Sequence, residues 1–368
     1  MSDNSIFESS LKNFLAPIAH LLEDESVSEI MINGHKQIWV ERSGKIVETD
    51  SQFSDEDSLR AAVNNIAQSV GRKINDEEPC LDARLPNGYR IHVVIPPCAR
   101  NGTTVAIRKF FSTSMTLKDY IGLKAMSVEV AQFLDVAMKL GKNILVSGGT
   151  GSGKTTLLGV LCERIPKGQR IIVIEDSTEL SVDYEHVVFF ETRVKDEEGN
   201  GEVSIEDLLR SSLRLRPDRI IVGEVRGSEA FHLIQAMNTG HKGCLGTVHA
   251  NTAIDAMVRL EALAQGAGAR ISEKALRHQV AGAIDLVVQV SRLADGSRKV
   301  VEVSEVLGFT NDGDYNVKPL YALQDFSRDE AGRILGQIEP TGQEPSFMKE
   351  IKDLGIPFKY KKVFKKAA

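Results

Sequence analysis

The sequence predicts two domains of different class, a small α+β domain followed by a larger α/β domain with a mainly parallel sheet. Three observations carry this. Between residues 20 and 110, alternating apolar and polar residues are broken by the turn signals Asn33-Gly34, Ser43-Gly44 and Asn87-Gly88. Beyond Ser127 the pattern changes to helical stretches alternating with the apolar runs "NILVS", "RIIVIE", "RIIVGE" and "CLGTVH", which mark strands buried on both faces. With 368 residues and 42% hydrophobic content, the chain has material for two cores.

In order, residues 1–22 form an N-terminal helical segment, "SLKNFLAPIAHLL", interrupted by Pro17. Residues 23–110 are the α+β domain. Its strands lie in "SEIMINGHKQIWVERSGKIVET", "ARLPNGYRIHVVIPP" and "RNGTTVAIRKF". Its helix, "SDEDSLRAAVNNIAQSVG", is expected to start on Ser54 as N-cap, carry acids in its first turn and stop at Gly71. Residues 111–126 are polar and aperiodic and read as a linker. From Ser127, an N-cap for "VEVAQFLDVAMKLG", the α/β domain runs over 127–325 and includes a hairpin at Asp295-Gly296. After that the periodicity fades into a C-terminal tail, 326–368, basic at its end.

Composition removes several function classes. No run approaches the ~20 apolar residues of a membrane span, and "MSDNSIFESS" has neither the basic nor the apolar region of a secretory signal, so a cytoplasmic location is expected. The net charge is −6 and the pI about 5.8, against the basic footprint of a nucleic-acid binder. The exception is "FKYKKVFKKAA", with Lys359, Lys361, Lys362, Lys365 and Lys366. It reads as a solvated tail, or as a peripheral foot on an anionic membrane face or an acidic partner. The four cysteines form no C-x-x-C pair, which argues against a zinc ribbon.

The strongest local signal is "NILVSGGTGSGKTTLLGVL". An apolar strand runs into Gly148, Gly149, Thr150, Gly151, Ser152, Gly153, Lys154, Thr155 and Thr156, and a helix follows. This is G-x-x-x-x-G-K-[ST] in its strand–loop–helix setting. The glycines let consecutive backbone N–H groups form an anion nest, and the helix adds its positive dipole end. Lys154 is placed to reach the β- and γ-phosphates of ATP, and the Thr155 hydroxyl to enter a Mg²⁺ shell.

Three further stretches lie at strand ends, where open α/β sheets bind ligands. "RIIVIEDSTEL" ends in Glu175-Asp176, with Glu179 beyond. "RPDRIIVGEVRG" ends in Gly223-Glu224, departing from the commoner Asp-Glu ending, so Glu224 takes the metal-side role. Carboxylates there hold Mg²⁺ or activate water. "TGHKGCLGTVHAN" offers His241, Cys244 and His249. As residues alone these admit a metal site, satisfied loop or core histidines, or a γ-phosphate sensor. Three ligands fall short of a structural zinc site.

Together the four stretches resemble, in order, the Walker A loop, Asp box, atypical Gly-Glu Walker B and His box of the secretion-superfamily ATPases, which drive type II secretion, type IV pili and type IV secretion. The resemblance covers roughly residues 20–325. "SEIMINGHKQIWVERSGKI" and "ARLPNGYRIHVVIPPCARNGTTVAIRKF" look most like the CpaF group, which serves Flp/Tad pili. The four-cysteine zinc insertion of many type II secretion members has no counterpart here.

The resemblance implies a RecA-like P-loop NTPase domain behind the smaller α+β domain, a homo-hexamer, and ATP and Mg²⁺ as cofactors. It implies Glu175 as general base, Glu224 as Walker B acid, His249 as sensor with His241 in support, and Arg90 and Arg108 as first-domain cations approaching the phosphates. The expected function is an ATPase motor working on pilus platform proteins at the inner membrane. The alternatives are a type IV secretion traffic ATPase and, from another class, a RecA-like nucleic-acid motor. The acidic pI and the lack of an aromatic-basic stretch stand against the last.

Overall fold

A computed structural model describes residues 14–358 apart from 43, 86, 110–114, 196–198, 325 and 331. The lysine tail and most of the N-terminal segment lie outside the described residues. The chain divides into two units, residues 1–112 and 113–368.

In the first unit a short helix α1 (Ala19–Glu23) precedes β1 (Val27–Asn33), β2 (Gln37–Arg42) and β3 (Lys45–Glu48). Helix α2 (Glu56–Ser69) leads to β4 (Cys80–Arg84), β5 (Arg90–Val94) and β6 (Thr104–Arg108). All pairings are antiparallel, in the order β3-β2-β1-β6-β5-β4. The sequence alternation is the cause. Ile91 and Val93, like Val105 and Ile107, enter a core shared with Leu59, Val63 and Ile66 of α2, while the residues between them take the other face. The N-cap of α2 is Asp55 rather than Ser54. Asp55 accepts from the Ser58 N–H at 2.7 Å and the Ser58 hydroxyl closes the reciprocal bond. This paired box is available only one residue further on.

The second unit opens with α3 (Leu117–Gly122) and α4 (Val128–Leu140). Helix α3 occupies a stretch read as structureless. It is started by a local box, Thr116 with Asp119, and sinks Tyr120 to 7% exposure. Then follow β7 (Ile144–Gly148), α5 (Lys154–Cys162), β8 (Ile171–Glu175), β9 (Val187–Glu191), α6 (Ile205–Ser212) and β10 (Arg219–Val222). Next come α7 (Glu229–Asn238), β11 (Leu245–Val248), α8 (Ala253–Gln265), α9 (Glu273–Ala283), β12 (Leu286–Arg292), β13 (Arg298–Phe309) and β14 (Tyr315–Leu323).

The periodicity that fades after residue 325 conceals β15 (Ile338–Pro340) and α10 (Met348–Asp353). The strand extends the sheet, and Phe347 and Ile351 join the core beside Phe133.

The sheet order is β15-β14-β13-β12-β7-β11-β10-β8-β9. From β12 to β9 every pairing is parallel, and from β12 outward to β15 every pairing is antiparallel. Each face is covered. Ile144 and Val146 of β7 pack with α4, α5 and α10, whereas Leu145 packs with α6, α7, α8 and α9. This is why the central strands read as unbroken apolar runs. Among the described residues no helix is long and apolar enough to cross a membrane.

One polar side chain lies deep at the edge where the parallel strands begin. Arg219, 3% exposed, donates to Gln169 Oε1 at 2.6 Å, the Met138 carbonyl at 3.1 Å and the Lys242 carbonyl at 3.4 Å. It lies in the space a side chain at Gly243 would need. There φ is +72° and a Cβ would fall 1.1 Å from Nη1. Gly243→Ala is therefore expected to lower stability by about 2–5 kcal/mol, the sum of overpacking and left-handed strain. Trp39, the single tryptophan, lies in the first unit. In urea the far-UV circular dichroism midpoint should fall while the Trp39 fluorescence midpoint holds.

Candidate nucleotide and hydrolysis site

Strand β7 carries the phosphate loop to the edge where the parallel strands end, and α5 leads away from it. The loop turns on Gly151 and Gly153, at φ +67° and +93°, conformations glycine adopts without strain. Gly153 is also the N-cap of α5, so no side chain caps that helix. A missing cap costs about 1 kcal/mol. Leu157, Leu158 and Leu161 of α5 are all 0% exposed, and burial of each is worth about 1.5–3 kcal/mol. The helix is thus held by its core face, and its N-terminus is left to an anion.

Lys154 Nζ donates to the carbonyls of Gly148 and Gly149, both at 3.0 Å, and Ser152 Oγ donates to the Gly149 carbonyl at 2.8 Å. The Thr155 hydroxyl donates to Glu179 Oε2 at 3.4 Å. Thr150 and Thr156 complete the motif, Thr156 exposed on the first turn of α5.

Glu175 ends β8, 4% exposed. Its Oε1 accepts the backbone N–H groups of Glu179 and Leu180, each at 3.0 Å. Burial raises its carboxyl to about 7, against the opposing pull of those two bonds, and the nearby carboxylates Glu179 and Glu191 raise it further. The same packing accounts for the glycine before Glu224. A Cβ at Gly223 would stand 2.7 Å from Glu175 Cγ, so the aspartate of the commoner ending has no room. Glu224 follows at the same edge, half-buried and paired with Arg226. Arg226 also reaches Asp176 at 3.5 Å. The acidic group that meets the Thr155 hydroxyl is therefore Glu179, a member of the acid cluster after β8 to which the sequence assigned no separate role.

The structure separates the two histidines. His249 leaves the end of β11, exposed, level with the phosphate loop, since Val248 pairs with Ser147. His241 precedes the start of β11. Its ring lies 3.3 Å from the Ala236 carbonyl, and the buried Cys244 thiol donates to the carbonyl of His241 at 3.1 Å. The strand between them spans four residues, about 13 Å. Among the described residues no three His, Cys, Asp or Glu side chains are grouped so that they could hold a metal ion, and His241 lies at the opposite sheet edge from Lys154 in this chain.

Arg90 and Arg108 belong to the first unit, where they face each other across β5 and β6. Arg90 holds Asp82 through Nε at 3.2 Å and Nη2 at 2.7 Å. Glu29 lies opposite Arg108 on β1. Burial raises its carboxyl, and Arg108 pulls it back down.

Two more arginines reach the phosphate loop, from the β12–β13 hairpin. Arg298 Nε donates to the Gly151 carbonyl at 2.8 Å, and an Arg292 Nη1 stands 3.8 Å from a Cβ placed on Gly151. The hairpin is readable in the sequence, but its place beside β7 is not, because that pairing joins strands some 140 residues apart.

The sequence profile described as type II/IV secretion system protein matches residues 12–319. The chain belongs to that family. It is 35% identical over 294 residues to the conjugal transfer protein TrbB of Rhizobium radiobacter, covering 79% of this chain and 87% of that one. It is 34% identical over 327 residues to the type IV secretion system protein VirB11 of Bartonella quintana, covering 78% and 91%. Among solved structures it shares its fold with the pilus retraction motor PilT, with a TM-score of 0.58 at 22% identity, covering 81% of this chain and 84% of that chain. The ATPase DotB of Legionella pneumophila gives 0.56 at 19%, covering 82% of each. As a member of the type II/IV secretion family with a P-loop and carboxylates gathered at one sheet edge, the chain is an ATP-hydrolysing enzyme.

The close approach at Gly223 predicts a functional cost for any side chain there. Gly223→Ala, which forces Glu175 aside, is expected to cut phosphate release at least about tenfold, since about an ångström at a reacting group is costly. Binding of a fluorescent ATP analogue should persist. A variant as fast as the parent would show that Glu175 has room to spare.

Proposed function

We propose that this protein is the traffic ATPase of a type IV secretion or conjugal transfer system, acting as a homo-hexameric ring at the cytoplasmic face of the inner membrane. The observation that carries it is the length and strength of the match to TrbB and VirB11, which spans both units. These relatives favour type IV secretion over the Flp/Tad pilus expected from the first-domain strands. The fold likeness to PilT and DotB is common ground for both readings. A motor that tracks nucleic acid has no support in the net charge of −6.

In this reading Lys154 and the N–H groups of residues 149–156 cradle the ATP phosphates. Thr155 and Glu179 offer the hard oxygen donors that suit Mg²⁺, with Glu224 at the same edge, and sites of this kind use one or two carboxylates plus phosphate. Bound there, the ion would neutralise charge on the β- and γ-phosphate oxygens. Glu175 takes a proton from the attacking water. Among the described residues no donor reaches its Oε2, and a carboxyl near 7 is matched to that task. Arg90 and Arg108 supply positive charge from a first unit, a role that delocalised guanidinium suits. His249 meets the γ-phosphate and reports its loss.

The sign of the pH dependence follows. A base held at about 7 is protonated below that value, so turnover should climb with pH through an acid limb centred near 7. Glu175→Gln should slow phosphate release about 10²–10⁴-fold and abolish that limb while ATP still binds, with Lys154→Ala as the blank. Equal rates for Glu175→Gln and the parent would remove the base assignment. In cells, Lys154→Ala should stop export through the type IV secretion channel and leave surface pilin unchanged. Lost pili with intact export would instead return the pilus reading.

A further inference from the structure

The buried part of strand β12, residues 286–290, is apolar except at one point. Leu286, Val287, Val288 and Val290 are buried aliphatics, and Gln289 among them is equally hidden, 6% exposed. Its amide nitrogen donates to two successive carbonyls, Ala250 at 3.2 Å and Asn251 at 3.0 Å. Those residues directly follow His249 and precede the Thr252 cap of α8. Its amide oxygen, also buried, has no hydrogen-bond partner among the described residues. A buried acceptor left unpaired opposes folding, and a leucine or valine would continue the strand without that cost. Stability alone does not account for a glutamine here.

Its neighbours show what it connects. Gln289 pairs in register with Ser147, the residue before the phosphate loop, and the Ser147 hydroxyl turns to the same Ala250 carbonyl at 3.4 Å. The next residue, Val290, packs its carbonyl 2.4 Å from where a Cβ of Gly148 would be. Strand β12 therefore touches the entrance of the phosphate loop with its backbone and the exit of the His249 turn with Gln289. Both contacts arise within two residues of one rigid, buried strand.

We propose that Gln289 is a positioning residue for the hydrolysis reaction, a strut that fixes the His249 turn at a set height above the phosphate loop. It acts through the turn, by its bonds to Ala250 and Asn251, rather than on ATP. Its amide nitrogen holds the carbonyls of Ala250 and Asn251, the first of which also accepts from the Ser147 hydroxyl. This rests on His249 being the γ-phosphate sensor, and the test separates the two ideas.

Gln289→Met keeps the length and removes the donor. In the full-length protein it should speed backbone amide exchange of residues 249–252, leave the thermal midpoint at or above that of the parent, and hold the affinity for a fluorescent ATP analogue within about twofold. The turnover number should fall about 10- to 100-fold, the scale of a small misplacement at a reacting centre. In a double-mutant cycle, Gln289→Met should add nothing to the loss already caused by His249→Ala.

Unchanged exchange at 249–252 overturns the strut, as does an unchanged turnover number or, where His249→Ala itself slows turnover, a loss that multiplies with it. If His249→Ala alone is silent while Gln289→Met still loosens the turn and slows turnover, the strut stands and the sensor reading falls.

Discussion

The site depends on one buried carboxylate packed against one glycine. Glu175 lies where β8 ends, almost out of water, and three neighbouring features take their form from it. The turn from 176 to 180 closes because Oε1 collects two of its backbone N–H groups. Position 223 is glycine because the Glu175 stem fills the space a side chain would use. Glu179 is brought to Thr155 because its own N–H is fixed to the same oxygen. Burial that makes this carboxyl costly to ionise also raises its proton affinity to near neutrality, the property on which its proposed role as base rests.

The phosphate loop is secured from the other side by the β12–β13 hairpin. Arg298 holds the Gly151 carbonyl, and the hairpin is itself fastened to the chain beyond the sheet's main strands. Lys299, 5% exposed, gives its ammonium to the carbonyls of Ile334 and Gly336, both at 2.9 Å. Asp295 accepts the Ile334 N–H at 2.7 Å. The two carbonyls keep burial of the lysine tolerable by accepting two of its three ammonium protons.

What was legible in the sequence was local or periodic. The P-loop, the alternation of buried strands with helices, and the Asp295-Gly296 hairpin follow from spacing within a few residues. So did a box that reading by periodicity missed, Thr116-x-x-Asp119, which starts α3 inside a polar stretch. The reason for Gly223 was not legible, because Glu175 fills its space from a strand 48 residues earlier in the chain. Arg298 at the phosphate loop required the β7–β12 pairing. His241 and His249 are near in sequence and far in space for a simple reason, that a strand runs between them.

The position of β7 has a consequence for how the protein is made. Its two neighbours in the sheet are β11 and β12, so the loop that follows residue 148 lacks at least one flank until the ribosome has passed residue 290. At about 5–20 residues per second that interval lasts about 7–30 s. For nearly all of it the nascent chain displays the full P-loop motif without its complete walls. The first residues recognisable as an ATP site are among the last to work as one.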